Sequence, residues 1–153
     1  MNVIFLDVDF VLNSINNAVD EYNKTGMPRH GANFPFDSNC LLNLKYIVEE
    51  TDAYFVISSS WRKYPDHMEK LILELNKYEL ADRIIGQTKV LNNRVLEIKD
   101  YIDNFEGEIN FIILDDYAYM EDLIDYLVNT NAYYGLTRDD AEIAVRKLKK
   151  NFN

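Results

Sequence analysis

The sequence is poor in cysteine and has no long apolar run. Its 153 residues include one cysteine, Cys40, so no intramolecular disulfide can form, which fits a reducing compartment. The apolar run over residues 3–6 ends at Asp7, too early for a secretory signal core or a membrane span. We therefore expect a cytoplasmic chain with no membrane partner.

Basic residues are also scarce relative to acidic ones. The chain has 16 Lys and Arg against 26 Asp and Glu, which gives a formal net charge of −10. Because affinity for phosphate backbones comes mostly from Lys and Arg, this balance argues against a broad nucleic-acid-binding face. It leaves room for a small basic pocket, and clustered carboxylates in such a chain can hold a divalent cation.

Strand-like and helix-like apolar patterns alternate along the chain. The predicted strands are 3–6, 53–57, 84–86, 109–114 and 126–128, and the predicted helices are centred on 41–48, 68–75, 95–104 and 141–148, with a helix or turn near 120–123. Near-continuous apolar strands are typical of strands buried on both faces. The pattern therefore predicts one domain over residues 1–153, a doubly wound, mostly parallel sheet in a three-layer α/β sandwich.

One long stretch shows no regular pattern. Residues 14–35 include Gly26, Pro28, Gly31 and Pro35, and we expect them to be irregular. Because long loops beside a site are often lids or binding loops, this segment is predicted to be an extended loop or flap near the site.

Polar residues follow three of the predicted strands. They are Asp7 and Asp9 after the first strand, Ser58, Ser59, Ser60 and Arg62 after the second, and Asp115 and Asp116 after the fourth. In an open parallel sheet, ligands bind beyond the carboxyl ends of the strands. We therefore expect the three groups to meet at one edge of the sheet.

The residue types point to phosphoryl chemistry. Four carboxylates without Cys or His nearby in sequence form a hard oxygen site, which suits Mg²⁺ better than Zn²⁺. A carboxylate can attack phosphorus, and a second one two residues further on can protonate the leaving group and then activate water. Ser58 can offer its hydroxyl and backbone N–H to phosphate oxygens. A cation is needed to balance the transferring group, and the candidates are Arg94, Lys89, Arg62 and Lys63.

These motifs resemble those of the haloacid dehalogenase-like (HAD) phosphohydrolases. Phe5–Leu12 matches a strand followed by DxDx(T/V)(L/V), Val56–Ser58 matches a strand that ends in Ser or Thr, and Ile113–Asp116 matches an acidic pair after a strand. The strings 11–13, 58–62, 113–116 and 135–137 are similar to the small domain of this superfamily found in multi-domain RNA repair proteins. The resemblance implies a HAD-like Rossmannoid fold and a Mg²⁺-dependent phosphatase that works through an aspartyl-phosphate.

The resemblance also implies a role for each matching residue. These are Asp7 as nucleophile and metal ligand, Asp9 as general acid/base with its carbonyl on the metal, Asp115 as a further ligand, Asp116 as a ligand directly or through water, Ser58 as the phosphate-binding residue, and Arg94 or its rival Lys89 as the cation of the third motif. Ser59 is a further candidate for binding phosphate, and Ser59 or Ser60 is expected to cap the helix that follows. Arg62 is balanced between binding phosphate and forming a structural ion pair with one of the aspartates.

Two departures from the family pattern leave the function open. Phe10 stands where Gly is usual after the second Asp, so its ring either obstructs the phosphate pocket or stacks on a base or sugar ring. Residues 14–35 and 87–92 are too short for a full cap domain, and an open site favours a polynucleotide or nucleotide end, or a phosphoprotein, over a small metabolite. The alternatives are an inactive binding or regulatory module and a phosphatase of phosphoproteins or small metabolites.

Overall fold

The predicted alternation of strands and helices forms one parallel sheet. The computed structural model describes residues 1–150, in which the strands are β1 Asn2–Leu6, β2 Tyr54–Ile57, β3 Ile84–Gln87, β4 Asn110–Asp115 and β5 Leu127–Asn129. The order across the sheet is β3-β2-β1-β4-β5, and every neighbouring pair is parallel. The doubly wound α/β fold is confirmed, and predicted strand ends are shifted by a residue or so.

Helices cover both faces of this sheet. They are α1 Ile15–Thr25, α2 Ser38–Thr51, α3 Pro65–Asn76, α4 Arg94–Asp103 and α5 Arg138–Lys150, with 3₁₀ turns at Gly31–Asn33, Ser60–Lys63, Ala81–Arg83 and Glu121–Tyr126. Among the helices of residues 1–150, none has both the length and the apolar character needed to cross a membrane.

The two faces of β1 pack into separate cores. Because successive side chains of a strand point to opposite faces, Ile4 and Leu6 lie in the core that contains the buried residues of α2, α3 and α5. Val3 and Phe5 lie in the core formed with α4 and the 3₁₀ turn at 121–126. All four side chains are fully buried, which fixes β1 at the centre of the sheet and its carboxyl end at the centre of one edge.

Side-chain caps start the helices where the sequence predicts them. Asp37 accepts a hydrogen bond from the backbone N–H of Asn39 at the start of α2, at 3.0 Å. Thr137 accepts one from the backbone N–H of Asp140 at the start of α5, at 3.1 Å. These caps satisfy backbone donors that have no partner within the helix.

The expectation that residues 14–35 are irregular is wrong for the first half of that segment. Ser14 caps α1 by accepting from the backbone N–H of Asn17 at 3.1 Å, and α1 ends at Gly26, whose φ of +67° is the left-handed conformation common after helices. The glycines and prolines of the segment all follow Thr25, so they do not interrupt the helix. The segment therefore combines a helix with a short 3₁₀ turn.

Candidate active site

The polar groups that follow β1 and β4 meet at the carboxyl edge of the sheet. The backbone N–H of Asp7 donates to the carbonyl of Leu114 at 3.1 Å, which holds the end of β1 against the end of β4. One carboxylate oxygen from each of Asp7, Asp115 and Asp116 lies within 4.8 Å of the others. The expected convergence of these three carboxylates is therefore present.

The aspartates at this edge are buried, which shapes their electrostatics. Asp7 is 6% exposed and Asp115 is 1% exposed. Burial raises the pKa of Asp7 well above its ordinary value, the charge of Asp115 raises it further, and the charge of Arg94 opposes the rise. Burial likewise raises the pKa of Asp115, again opposed by Arg94. Positive charge close to these carboxylates therefore stabilises their ionised forms.

Arg94 is the cation that the fold brings to Asp7. It is the first residue of α4, a position fixed by Asn93, whose side-chain oxygen accepts from the backbone N–H of Leu96 at 3.0 Å. The Arg94 guanidinium hydrogen-bonds the carboxylate of Asp115, and its Nη1 lies 3.9 Å from Oδ1 of Asp7.

Its rival for the third-motif role, Lys89, lies elsewhere. The Lys89 side chain is 70% exposed, and its Nζ lies 3.6 Å from a carboxylate oxygen of Asp100. Lys89 does not line the cavity beside Asp7.

That cavity has a volume of about 680 Å³. Its lining includes Asp7, Arg94, Asp115, Asp116, Ser60 and Lys63, with Tyr117 and Tyr119 at one side. Both signs of charge therefore face it, as a site for a phosphate and its counterions requires.

Asp9 is held by two side chains that the sequence interpretation did not assign to the site. Its Oδ1 accepts hydrogen bonds from Nδ2 of Asn13 at 3.0 Å and from Nε1 of Trp61 at 3.1 Å. Asp9 lines a second cavity of about 230 Å³, which shares Ser60 with the cavity beside Asp7. The two aspartates of the first motif therefore face adjacent cavities.

Phe10 adopts the backbone conformation that suits the glycine it replaces. Its φ is +63°, a left-handed conformation that costs a non-glycine residue about 1–2 kcal/mol. Its N–H donates to Oδ1 of Asn13 at 2.6 Å, and its carbonyl accepts from Oγ1 of Thr130 at 2.8 Å. Within the described residues, its ring lines the smaller cavity and an apolar groove beside α1, not the cavity of Asp7.

The serines after β2 differ in where they lie. The backbone N–H of Ser58 donates to the carbonyl of Leu6 at 2.9 Å, so it is not free for phosphate, contrary to expectation. The Ser58 hydroxyl is fully buried and has no hydrogen-bond partner among the described residues. Ser59 accepts from the backbone N–H of Trp61 at 3.1 Å and caps a 3₁₀ turn. Of the three, Ser60 is the one that lines the cavity beside Asp7.

Arg62 forms an internal network. Its guanidinium donates to the carboxylate of Glu97 at 2.7 Å and to the carbonyls of Ser59, Thr88 and Lys89. The side chains of Arg62 and Glu97 are 2% and 6% exposed. Arg62 borders the Asp7 cavity, but four of its five N–H donors are already used, and its acidic partner is a glutamate rather than one of the aspartates.

Asn13 and Glu97 were the site residues hardest to find from sequence. Asn13 belongs to a string that resembles the RNA repair domain, but nothing in that string indicated a contact with Asp9. Glu97 lies 35 positions from Arg62, on the opposite side of β3 in sequence, and no local spacing relates them.

Comparison with known proteins supports the same family. A search of curated proteins and a search of solved structures gave no significant match. The model of one protein family, described as the HAD domain in Swiss Army Knife RNA repair proteins, matches residues 3–141. The match spans most of the chain and includes Asp7, Asp9, Asp115 and Asp116. The resemblance seen in the motifs is thereby confirmed, and the chain belongs to the family of HAD domains of Swiss Army Knife RNA repair proteins.

Proposed function

We propose that this chain is a Mg²⁺-dependent phosphatase that hydrolyses phosphate monoesters at nucleic-acid or nucleotide ends. The observation that carries the proposal is the group formed by the buried Asp7 and Asp115 and the half-buried Asp116, with Arg94 beside it, in the lining of the cavity of about 680 Å³. Membership of a HAD family in an RNA repair context supports both the reaction class and the substrate class.

The donor set fits magnesium. Asp7, Asp115 and Asp116 offer carboxylate oxygens only, which are the ligands that Mg²⁺ prefers, and the resemblance adds the backbone carbonyl of Asp9. Asp7 and Asp115 are buried close to each other, and burial raises the pKa of both carboxyl groups, so a divalent cation bound by them would stabilise their charged forms. Asp7, Asp115 and Asp116 would hold the ion, which would supply positive charge to offset these carboxylates and Lewis acidity toward the phosphoryl oxygens.

Asp7, Asp9 and Arg94 each have a separate role in the proposed reaction. A carboxylate oxygen of Asp7 attacks phosphorus, the bond from phosphorus to the ester oxygen breaks, and Asp9 gives its proton to that leaving oxygen. Asp9 then takes a proton from water, which attacks the aspartyl-phosphate and releases phosphate and free Asp7. Arg94 lies within 3.9 Å of Asp7 and is placed to pair with the transferring oxygens.

The nucleophile is tested by Asp7→Asn, which keeps the shape of the side chain. We expect the wild-type chain to hydrolyse p-nitrophenyl phosphate and 3′- or 5′-phosphorylated RNA and DNA with Mg²⁺, and the variant to lose at least about 10³-fold in kcat. Asp82→Asn, at an exposed aspartate outside the site, is the matched control and keeps full activity. Wild-type activity no higher than that of Asp7→Asn on every substrate overturns the proposal and favours an inactive binding module.

A further inference from the structure

The smaller cavity beside Asp9 has an aromatic lining. It is about 230 Å³ in volume, and we call it the aromatic pocket, formed by Phe10, Phe34, Trp61, Tyr64 and His67 with Asp9 at its polar end. The ring centroids of Trp61 and His67 are 4.9 Å apart, and those of Tyr64 and His67 are 5.1 Å apart. Tyr64 is 52% exposed, so the pocket opens to solvent.

Three parts of the chain supply its walls. Phe10 follows β1 and Phe34 follows the 3₁₀ turn within the segment 14–35, whereas Trp61, Tyr64 and His67 come from the 3₁₀ turn after β2 and the start of α3. Aromatic residues of three different segments therefore line the pocket, which is an arrangement that can hold a flat group. Trp61 is 2% exposed and Tyr64 is 52% exposed, so Tyr64 is the more accessible of these two rings.

The position of this pocket relative to the reacting phosphoryl group rests on the proposed function. Asp7 faces the larger cavity, where the phosphoryl group is attacked, and Asp9 faces the aromatic pocket. Because the general acid must reach the leaving oxygen, the leaving group lies on the side of Asp9. Ser60 lines both cavities, so a substrate can extend from one into the other.

We propose that the aromatic pocket binds the base of the terminal nucleoside whose phosphate is removed. No Lys or Arg lines the pocket, so it suits an uncharged planar group and not a second phosphate. Its volume is below the roughly 300–1,000 Å³ of sites that enclose drug-sized ligands, so it takes one ring system. The RNA repair family context favours a nucleobase over the ring of a phosphotyrosine.

Trp61 gives a direct measurement of occupancy. It is the one tryptophan in the sequence, it lines the pocket, and its indole N–H is bonded to Asp9. In the Asp7→Asn chain with Mg²⁺, we expect a nucleoside monophosphate to change the tryptophan fluorescence saturably and to bind about 5- to 100-fold more tightly than ribose 5-phosphate. Equal affinity for the two overturns the proposal.

Substitutions in the pocket test whether it recognises the base rather than the sugar and phosphate. Phe34→Ala and Tyr64→Ala are expected to remove most of the preference for the nucleotide over ribose 5-phosphate, whereas Tyr133→Ala, at an exposed tyrosine outside the pocket, keeps it. A thermal unfolding curve for each variant confirms that it is folded. A preference unchanged in both pocket variants contradicts the assignment.

Turnover distinguishes this inference from the proposed function. On 3′-phosphorylated oligonucleotides, we expect kcat/KM to fall about 5- to 100-fold when the terminal nucleoside is abasic, and Phe34→Ala to lose this discrimination. Turnover of base-carrying and abasic ends at equal rates overturns the pocket and leaves the phosphatase standing. If nothing is hydrolysed, the proposed phosphatase function is wrong, and the fluorescence titration still tests whether the pocket binds a base.

A larger effect of Phe34→Ala on a phosphotyrosine peptide than on nucleotides also overturns the nucleoside assignment.

Discussion

At the scale of single residues, the side chain of Asn13 hydrogen-bonds both Asp9 and Phe10 of the first motif. It is fully buried, its Nδ2 donates to Asp9 at 3.0 Å, and its Oδ1 accepts from the N–H of Phe10 at 2.6 Å. The side chain therefore helps to hold Phe10 in its left-handed conformation and leaves Oδ2 of Asp9 without a hydrogen bond from the described residues. Under the proposed function, that oxygen is the one that exchanges a proton with the leaving group and with water.

The role of Asn13 can be tested by Asn13→Asp. The change keeps the acceptor for Phe10 but replaces the donor to Asp9 with a second carboxylate, so we expect kcat to fall about 10- to 100-fold and stability to fall by about 1–3 kcal/mol. Steady-state kinetics and urea unfolding measure the two effects. Asn16→Asp, at the exposed start of α1, is the control. Unchanged kcat in Asn13→Asp contradicts a positioning role.

At the scale of elements, the ion pair of Arg62 and Glu97 joins α4 to the segment after β2. Glu97 also accepts from the backbone N–H of Leu91 at 2.8 Å, and Arg62 donates to the carbonyls of Thr88 and Lys89. The pair thus holds the loop between β3 and α4, which leads directly into Arg94 at the start of α4. The side chains of Arg62 and Glu97 are almost fully buried, so removing one charge leaves the other buried with neither a partner nor water around it.

We expect Glu97→Gln to destabilise the chain by about 3–5 kcal/mol, because it leaves the Arg62 guanidinium buried without a counter-charge. Urea unfolding measures the change. The matched control is Glu50→Gln, which breaks an exposed pair with Lys149 at 3.2 Å and is expected to cost no more than about 1 kcal/mol. A loss in Glu97→Gln as small as that of the control contradicts a structural role for the buried pair.

At the scale of the whole molecule, a net charge of −10 limits how a polynucleotide can bind. Among the described residues, the cations that line the cavity are Arg62, Lys63 and Arg94, of which Arg62 is paired with Glu97 and Arg94 is hydrogen-bonded to Asp115. With so few cations, the site of the proposed function contacts one or two phosphates. Under the proposed function, the chain therefore acts on the end of a strand and gains little from the rest of it.

This limit predicts a weak dependence on salt and on substrate length. For single strands the slope of log affinity against log salt is about −0.7 per phosphate neutralised, so we expect a slope near −1 for kcat/KM. We also expect KM to stay constant once an oligonucleotide exceeds about three nucleotides. Kinetics at several salt concentrations and lengths measure both. A slope steeper than about −4, or a KM that keeps falling with length, indicates an extended basic face instead.

Much of the fold and part of the site were predictable because the signals are local. The apolar character of residues 3–6 is enough to predict a buried strand. Asp7, Asp115 and Asp116 come together because parallel strands end at one edge of the sheet. Helix α1 was also predictable, since Ser14 caps it and Gly26 ends it, but the glycines and prolines after Thr25 obscured the pattern.

The sequence by itself determined the order of strands and helices, the family and the acidic edge of the sheet. Hydrophobic periodicity and short motifs carry this information because they depend on residues that are close in sequence. Tertiary structure decided which partner each side chain meets. Trp61 reaches Asp9 across 52 positions and Arg62 reaches Glu97 across 35, and no spacing rule relates such residues. The same packing turned Asp7 and Asp9 toward adjacent cavities, a distinction that a motif of two aspartates does not contain.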